Sequence, residues 1–257
     1  MTIPLLDLYT LSVIFIRVGA IYFALPFFGD SPTPIRIRVL LALATTVCLA
    51  PIYGNGFIES LPTSVVEIVL VVLKEILLGV VIGYVARLAF DGILMAASIV
   101  GYQMGFGTAS LLVPDAQMQM NSFTAFHRIL MMLIFFALNM HQAYFYVLAK
   151  TFTVVKPGIP KFHEDYLPFF IRLSGDIFIV SLQLASPILV ALMFTMAAMG
   201  LIARTVPQMN VFTMSFPTSF FVGLLVYLGT FPFMPEWLKL HFSRNQEDMI
   251  MSIFGVR

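Results

Sequence analysis

Six long apolar stretches run along the chain, at about 8–28, 39–53, 65–91, 123–148, 176–203 and 211–234. Stretches of this length, with no strand-like alternation, predict an all-α protein of long helices and helical hairpins. Arg17 interrupts the first stretch. The second falls short of the roughly 20 residues that a helix needs to cross a hydrocarbon core. Pro187 in the fifth and Pro217 near the start of the sixth each remove a backbone donor, which predicts kinks there. The breaks read SPTP (31–34), YGNG (53–56), VPD (113–115), KPGIPKFHEDYLP (156–168) and RTVPQMN (204–210), all strong turn signals. There is no low-complexity tract. The longest polar connection, 149–168, sets a larger front part, 1–168, apart from a helical hairpin and tail, 169–257.

The third stretch carries charge where a membrane helix tolerates it least. Glu75, Gly79, Gly83, Arg87 and Asp91 recur four residues apart, with Lys74 beside the first. On a helix this spacing makes one slanted ridge of small and charged residues. Gly79 and Gly83 form a GxxxG, which admits a second helix backbone at close range. A charge at the bilayer centre costs about 2.5–3.5 kcal/mol on insertion scales, so such residues face protein or water. The ridge therefore predicts a helix inside an assembly, with Lys74 and Glu75 paired to polar groups. A lipid-facing span with snorkelling ends accounts for Arg87 and Asp91 but not for Lys74 and Glu75.

Composition agrees with a membrane. The 257 residues are 60% hydrophobic and 11% charged, against about 25% charged in an average soluble domain. Mean hydropathy is +0.97. A net charge of +1 and the lack of a basic stripe argue against nucleic acid. A single cysteine, Cys48, excludes an internal disulfide framework and a cysteine-rich metal site. The first 16 residues contain Asp7 and no Lys or Arg, unlike a cleavable signal peptide, so the N-terminus reads as mature. Charge bias does not give a simple topology. Arg36 and Arg38 place the first loop in the cytoplasm, and alternation then puts Lys150, Lys156 and Lys161 outside. Either one stretch does not cross, or the chain does not sit in lipid in the usual way.

Between the third and fourth stretches, GYQMGFGTASLLVPDAQMQMNSF (101–123) is rich in Gly, Met, Gln and Ser and nearly uncharged. Glycines permit bends, and methionines make soft, adaptable contacts. Such a loop can close a pore around varied cargo, or it is a surface loop with incidental methionines. No HExxH, GxSxG, P-loop or paired-cysteine motif occurs. His127 and His141 lie fourteen apart in the fourth stretch, near Asn139. They are either hydrogen-bonded helix histidines or a metal or proton-relay site. No catalytic residue, cofactor or metal is expected.

Four segments, RVGAIYFALPFFGDSPTPIRIRVLLA (17–42), KEILLGVVIGY (74–84), GYQMGFG (101–107) and ARTVPQMNVF (203–212), together carry a resemblance over essentially the whole chain. The sequence resembles the FliR family of the flagellar type III protein export apparatus, whose virulence-system counterparts are the SctT proteins. The resemblance implies a membrane-associated all-α fold, with 1–168 FliP-like and the 169–257 hairpin FliQ-like. It implies a channel subunit of the export gate that assembles with FliP-like and FliQ-like subunits, and with an FlhB-like one. The complex would pass unfolded flagellar proteins across the bacterial inner membrane at the flagellar basal body. Its helices would stand largely above the usual bilayer plane, which resolves the topology conflict. The family's plug loop maps onto about 106–121, with Phe106, Gly107, Leu111, Leu112, Met118 and Met120 as gate residues. Lys74, Glu75, Gly79, Gly83, Arg87 and Asp91 would serve subunit packing, and Arg204, Pro207, Gln208 and Asn210 the hairpin turn. The same role in a virulence system is the alternative. A small-solute secondary transporter, which wants matching broken halves, and an intramembrane enzyme built on His127 and His141 are the readings from other classes.

Overall fold

The computed structural model describes residues 5–25, 34–53, 62, 64–106, 122–156, 166–208 and 210–240. Among them there are helices and turns and no strand. The helices are α1 (Leu5–Ala24), α2 (Ile35–Tyr53), α3 (Val65–Gln103), α4 (Ser122–Ala137), α5 (Met140–Val154), α6 (Tyr166–Thr205) and α7 (Val211–Thr230). A 3-10 turn at Phe231–Phe233 follows α7, and helical turns continue to Leu240. Among the described residues four helices are long and apolar enough to cross a membrane, or five if α4 and α5 count as one span.

The second stretch begins at Ile35 rather than near 39, because the polar-headed Arg36 and Arg38 are good helix formers, and its 19 residues are long enough to span, contrary to expectation. Three further boundaries differ, each for a local reason. The fourth stretch is two helices, because Asn139 takes a left-handed φ of 54°. Asn is one of the few non-glycine residues that adopt this region readily. The third stretch runs on to Gln103, since Asp91 alone does not end a helix with this propensity. The fifth starts at Tyr166, which puts Pro168 in the first turn, where a missing N–H leaves nothing unbonded. Pro187 and Pro217 both lie inside continuous helices. Pro187 deprives the Gln183 carbonyl of its helix partner, and the Ser186 hydroxyl donates to that carbonyl at 2.9 Å.

The chain divides into two units. The first comprises 1–88, 139–173 and 241–257, and the second 89–138 and 174–240. In the first unit α1 packs on α2 and α2 on α5. Tyr22 shares a 3.0 Å hydroxyl contact with Thr45, and Tyr53 stacks on Phe152 at 5.7 Å. Gly79 and Gly83 lie against α1. A Cβ on Gly79 would fall 2.6 Å from Ala20 Cβ and 2.8 Å from the Arg17 carbonyl. One on Gly83 would fall 2.5 Å from Ala24 Cβ. The helix that the GxxxG admits is therefore the chain's own α1.

The second unit is built around Ala96, Ala97, Val100, Met104, Leu192 and Tyr227. Small residues again set the spacing. Val180 abuts Gly92, and the Ser181 hydroxyl donates to the Gly92 carbonyl at 2.8 Å. Met104 lies over Gly223.

Gly79→Leu should abolish the close approach of α3 to α1 and with it the folded first unit. By contrast, Gly175→Ala has open space around it and should leave the fold intact. Size-exclusion profiles and thermal midpoints of the detergent-purified protein check both. Wild-type behaviour of Gly79→Leu would refute the packing argument.

Candidate functional site

The ridge on α3 begins with a buried charge that finds its partner inside the chain. Glu75 and Arg17 are both fully buried. Arg17 Nε donates to Glu75 Oε2 at 2.5 Å and Nη2 to Oε1 at 2.9 Å, a bidentate pair. The rest of the guanidinium turns to the end of α5. Nη1 donates to the Val155 carbonyl at 2.8 Å and the Thr151 carbonyl at 3.4 Å, and Nη2 to the Lys156 carbonyl at 3.5 Å. Five acceptors thus meet the five N–H donors of one arginine. Thr151 O also accepts the Val155 amide at 2.9 Å, and the carbonyls at this helix C-terminus carry partial negative charge, which favours a cation there. Phe152 lies beneath the guanidinium, 4.6 Å from its carbon to the ring centroid. One side chain of α1 therefore joins α3 to the end of α5.

The other charged ridge residues are less enclosed. Lys74 is exposed and has no partner among the described residues. Arg87 and Asp91 are half-buried farther along α3. Arg17 was legible only as an interruption of an apolar stretch. The signal that marks it is a cation in the middle of an apolar helix, which needs an opposite charge without saying which one.

At the end of α3 the backbone turns. Gly105 has a φ of +95°, and the Phe216 ring of α7 lies over it. Phe106 stacks on Phe123 at 5.5 Å with 23° between the rings, and meets Phe220 edge-on at 5.5 Å. Phe123 in turn meets Tyr227 at 5.4 Å. The two residues that flank the uncharged segment thus contact each other. Gly107, Leu111, Leu112, Met118 and Met120 lie outside the described residues.

The hairpin turn is short. Helix α6 ends at Thr205 with Arg204 exposed in its last turn, and Pro207 and Gln208 form the turn. Asn210 caps α7, its Oδ1 accepting from the Thr213 amide at 3.3 Å.

The two histidines stand on different helices, either side of the break at Asn139. His127 is buried, with Nδ1 3.2 Å from the Phe123 carbonyl, and it borders a cavity of about 220 Å³ with Tyr227 and Trp237. Among the described residues no group of three His, Cys, Asp or Glu side chains is placed to hold a metal ion.

Removing one partner of a buried ion pair strands the other, at a cost of about 3–5 kcal/mol, whereas an apolar pair of similar volume is often tolerated. Glu75→Ala and Arg17→Ala should each lower the thermal midpoint sharply. Arg17→Met with Glu75→Leu should lose less than the two single changes added together. Additive losses in this cycle would show that the pair does not couple α1 to α3.

Two kinds of similarity agree with this architecture. A family model described as bacterial export proteins, family 1, matches residues 8–245. The chain is 28% identical over 241 residues to flagellar biosynthetic protein FliR of Aquifex aeolicus (strain VF5), covering 92% of this chain and 90% of that protein. It is 26% identical over 261 residues to the FliR of Bacillus subtilis (strain 168), covering 98% of each. With the FliR of Escherichia coli (strain K12) it shares 26% over 233 residues, 89% of this chain and 86% of that protein. With the family model spanning nearly all of its length, and relatives of one name aligned along most of theirs, the chain belongs to the bacterial export proteins, family 1, and within them to the FliR family of the flagellar export apparatus.

Proposed function

We propose that this chain is a channel subunit of the flagellar type III export gate, seated in the bacterial inner membrane at the basal body. It assembles with FliP-like and FliQ-like subunits, and with an FlhB-like one, to pass unfolded flagellar proteins. Residues 1–168 take the FliP-like place and 169–257 the FliQ-like place. The family match over residues 8–245 carries this reading. The all-helical, strongly apolar chain supports it. The relatives cited bear flagellar names, which favours the flagellar over the virulence system.

In this reading the segment at about 106–121 is the gate. Its support is the aromatic contact at its base. Phe106 on Phe123 holds the flanking residues together, while Phe216 and Phe220 anchor that base to the hairpin. The segment carries only Asp115, so it fits a narrow apolar passage without burying several ions. Its methionines suit a seal that re-forms around unlike side chains. The subunit's role is mechanical. Energy for export comes from elsewhere, as the chain carries no nucleotide motif.

Deleting 110–118 should leave the complex assembled and make reconstituted vesicles leak small solutes. Ion conductance and co-purification measured on the same preparation check this. A deletion complex that assembles and stays as tight as wild type would remove the gate from this segment.

A further inference from the structure

Along the first half of α3 runs an apolar stripe that no described residue covers. Val66, Leu70, Leu73, Leu77 and Val80 follow a strict four-three-four-three spacing, and all are between 46% and 66% exposed. That spacing is the apolar seam of helices packed knobs-into-holes, where each seam residue inserts between four residues of the facing helix. The opposite face of the same stretch is used internally: Glu75, Leu78, Gly79 and Ile82 are buried. Lys74 directly follows a seam residue, in the flanking position from which charges reach across to a partner helix. It is exposed, and no described residue accepts its protons.

The contrast between adjacent residues is informative. Among the described residues Glu75 has a dedicated arginine and Lys74 has no carboxylate. Lys74 stands nine residues past Val65, about 13 Å along the axis at 1.5 Å per residue. In any apolar surrounding, lipid or protein, an unpaired ammonium is costly. An apolar seam beside an uncompensated cation calls for an apolar helix that brings a carboxylate.

We infer that the Val66–Val80 seam docks a membrane helix of a different subunit, one that is apolar along its contact stripe and carries an Asp or Glu carboxylate paired with Lys74. The inference rests on the reading of the chain as one subunit of a hetero-oligomer, and adds to it the surface and the chemistry of one neighbour.

The test uses the complex purified from the native membrane. Treatment with dicyclohexylcarbodiimide, an apolar reagent, joins the Lys74 amine to a contacting carboxylate as an amide, the carbodiimide taking up the water as dicyclohexylurea. Peptide mass spectrometry should find Lys74 joined to an Asp or Glu of another subunit. Lys74→Glu should lower co-purification of that subunit about tenfold, and changing the identified carboxylate to Lys in the same strain should restore it. Several results would overturn the inference: no coupling at Lys74, coupling only within this chain or to a second copy of it, or coupling only to a carboxylate-bearing lipid. Wild-type co-purification with Lys74→Glu would do the same. If untreated wild-type chain co-purifies with no other subunit at all, it is the hetero-oligomeric reading itself that fails.

Discussion

The requirement that a buried charge be neutralised and fully hydrogen-bonded organises the first unit. Arg17 and Glu75 are fifty-eight residues apart in sequence and both wholly buried. In a low-dielectric interior neither is tolerable alone. Their meeting fixes α1 beside α3, and the donors left over bind the carbonyls at the end of α5. The close approach of α1 to α3 is the second half of the same arrangement. Arg17 reaches Glu75 because Gly79, one turn further on, leaves room for the α1 backbone at Arg17 and Ala20. Ridge glycine and ridge carboxylate are thus parts of one joint.

Much of this was legible in the sequence, and what was not has a physical cause. Apolar length gave the helices, because a membrane helix is specified by composition over twenty or so residues. The ridge at spacing four gave the face of α3 that packs, since periodicity follows from helix geometry alone. What packs there was not legible. A GxxxG says that a backbone comes close and is silent on whose it is, and the answer here is α1 of the same chain. Nor was the partner of Glu75 readable, because pairing across fifty-eight residues leaves no local trace.

Helix ends were the other gap. Asn139 divides what composition reads as one span, because a single left-handed residue costs little at Asn and leaves hydropathy unchanged. Pro168 reads as a stop but is compatible with a first turn. The turn at 206–210 was plain from the start, since Pro207 disfavours helix at Val206 and Asn210 has the side chain for a cap. At the site, the uncharged segment was visible in composition, whereas the ring stack of Phe106 on Phe123 was not. Contacts between residues that bound a loop depend on where the loop returns.

The Ser186–Pro187 arrangement has a consequence for how the chain enters a membrane. By donating to the Gln183 carbonyl from the same helix, Ser186 satisfies the backbone acceptor that Pro187 frees without a donor from a neighbour. The proline break of α6 is therefore settled as soon as that helix forms. Helix α1 is different. It carries an arginine whose counter-charge is synthesised fifty-eight residues later, so the insertion machinery must hold α1, or keep it at the bilayer surface, until α3 emerges. The charge of α1 is thus balanced only after α3 has been made, whereas the break in α6 is mended within one turn.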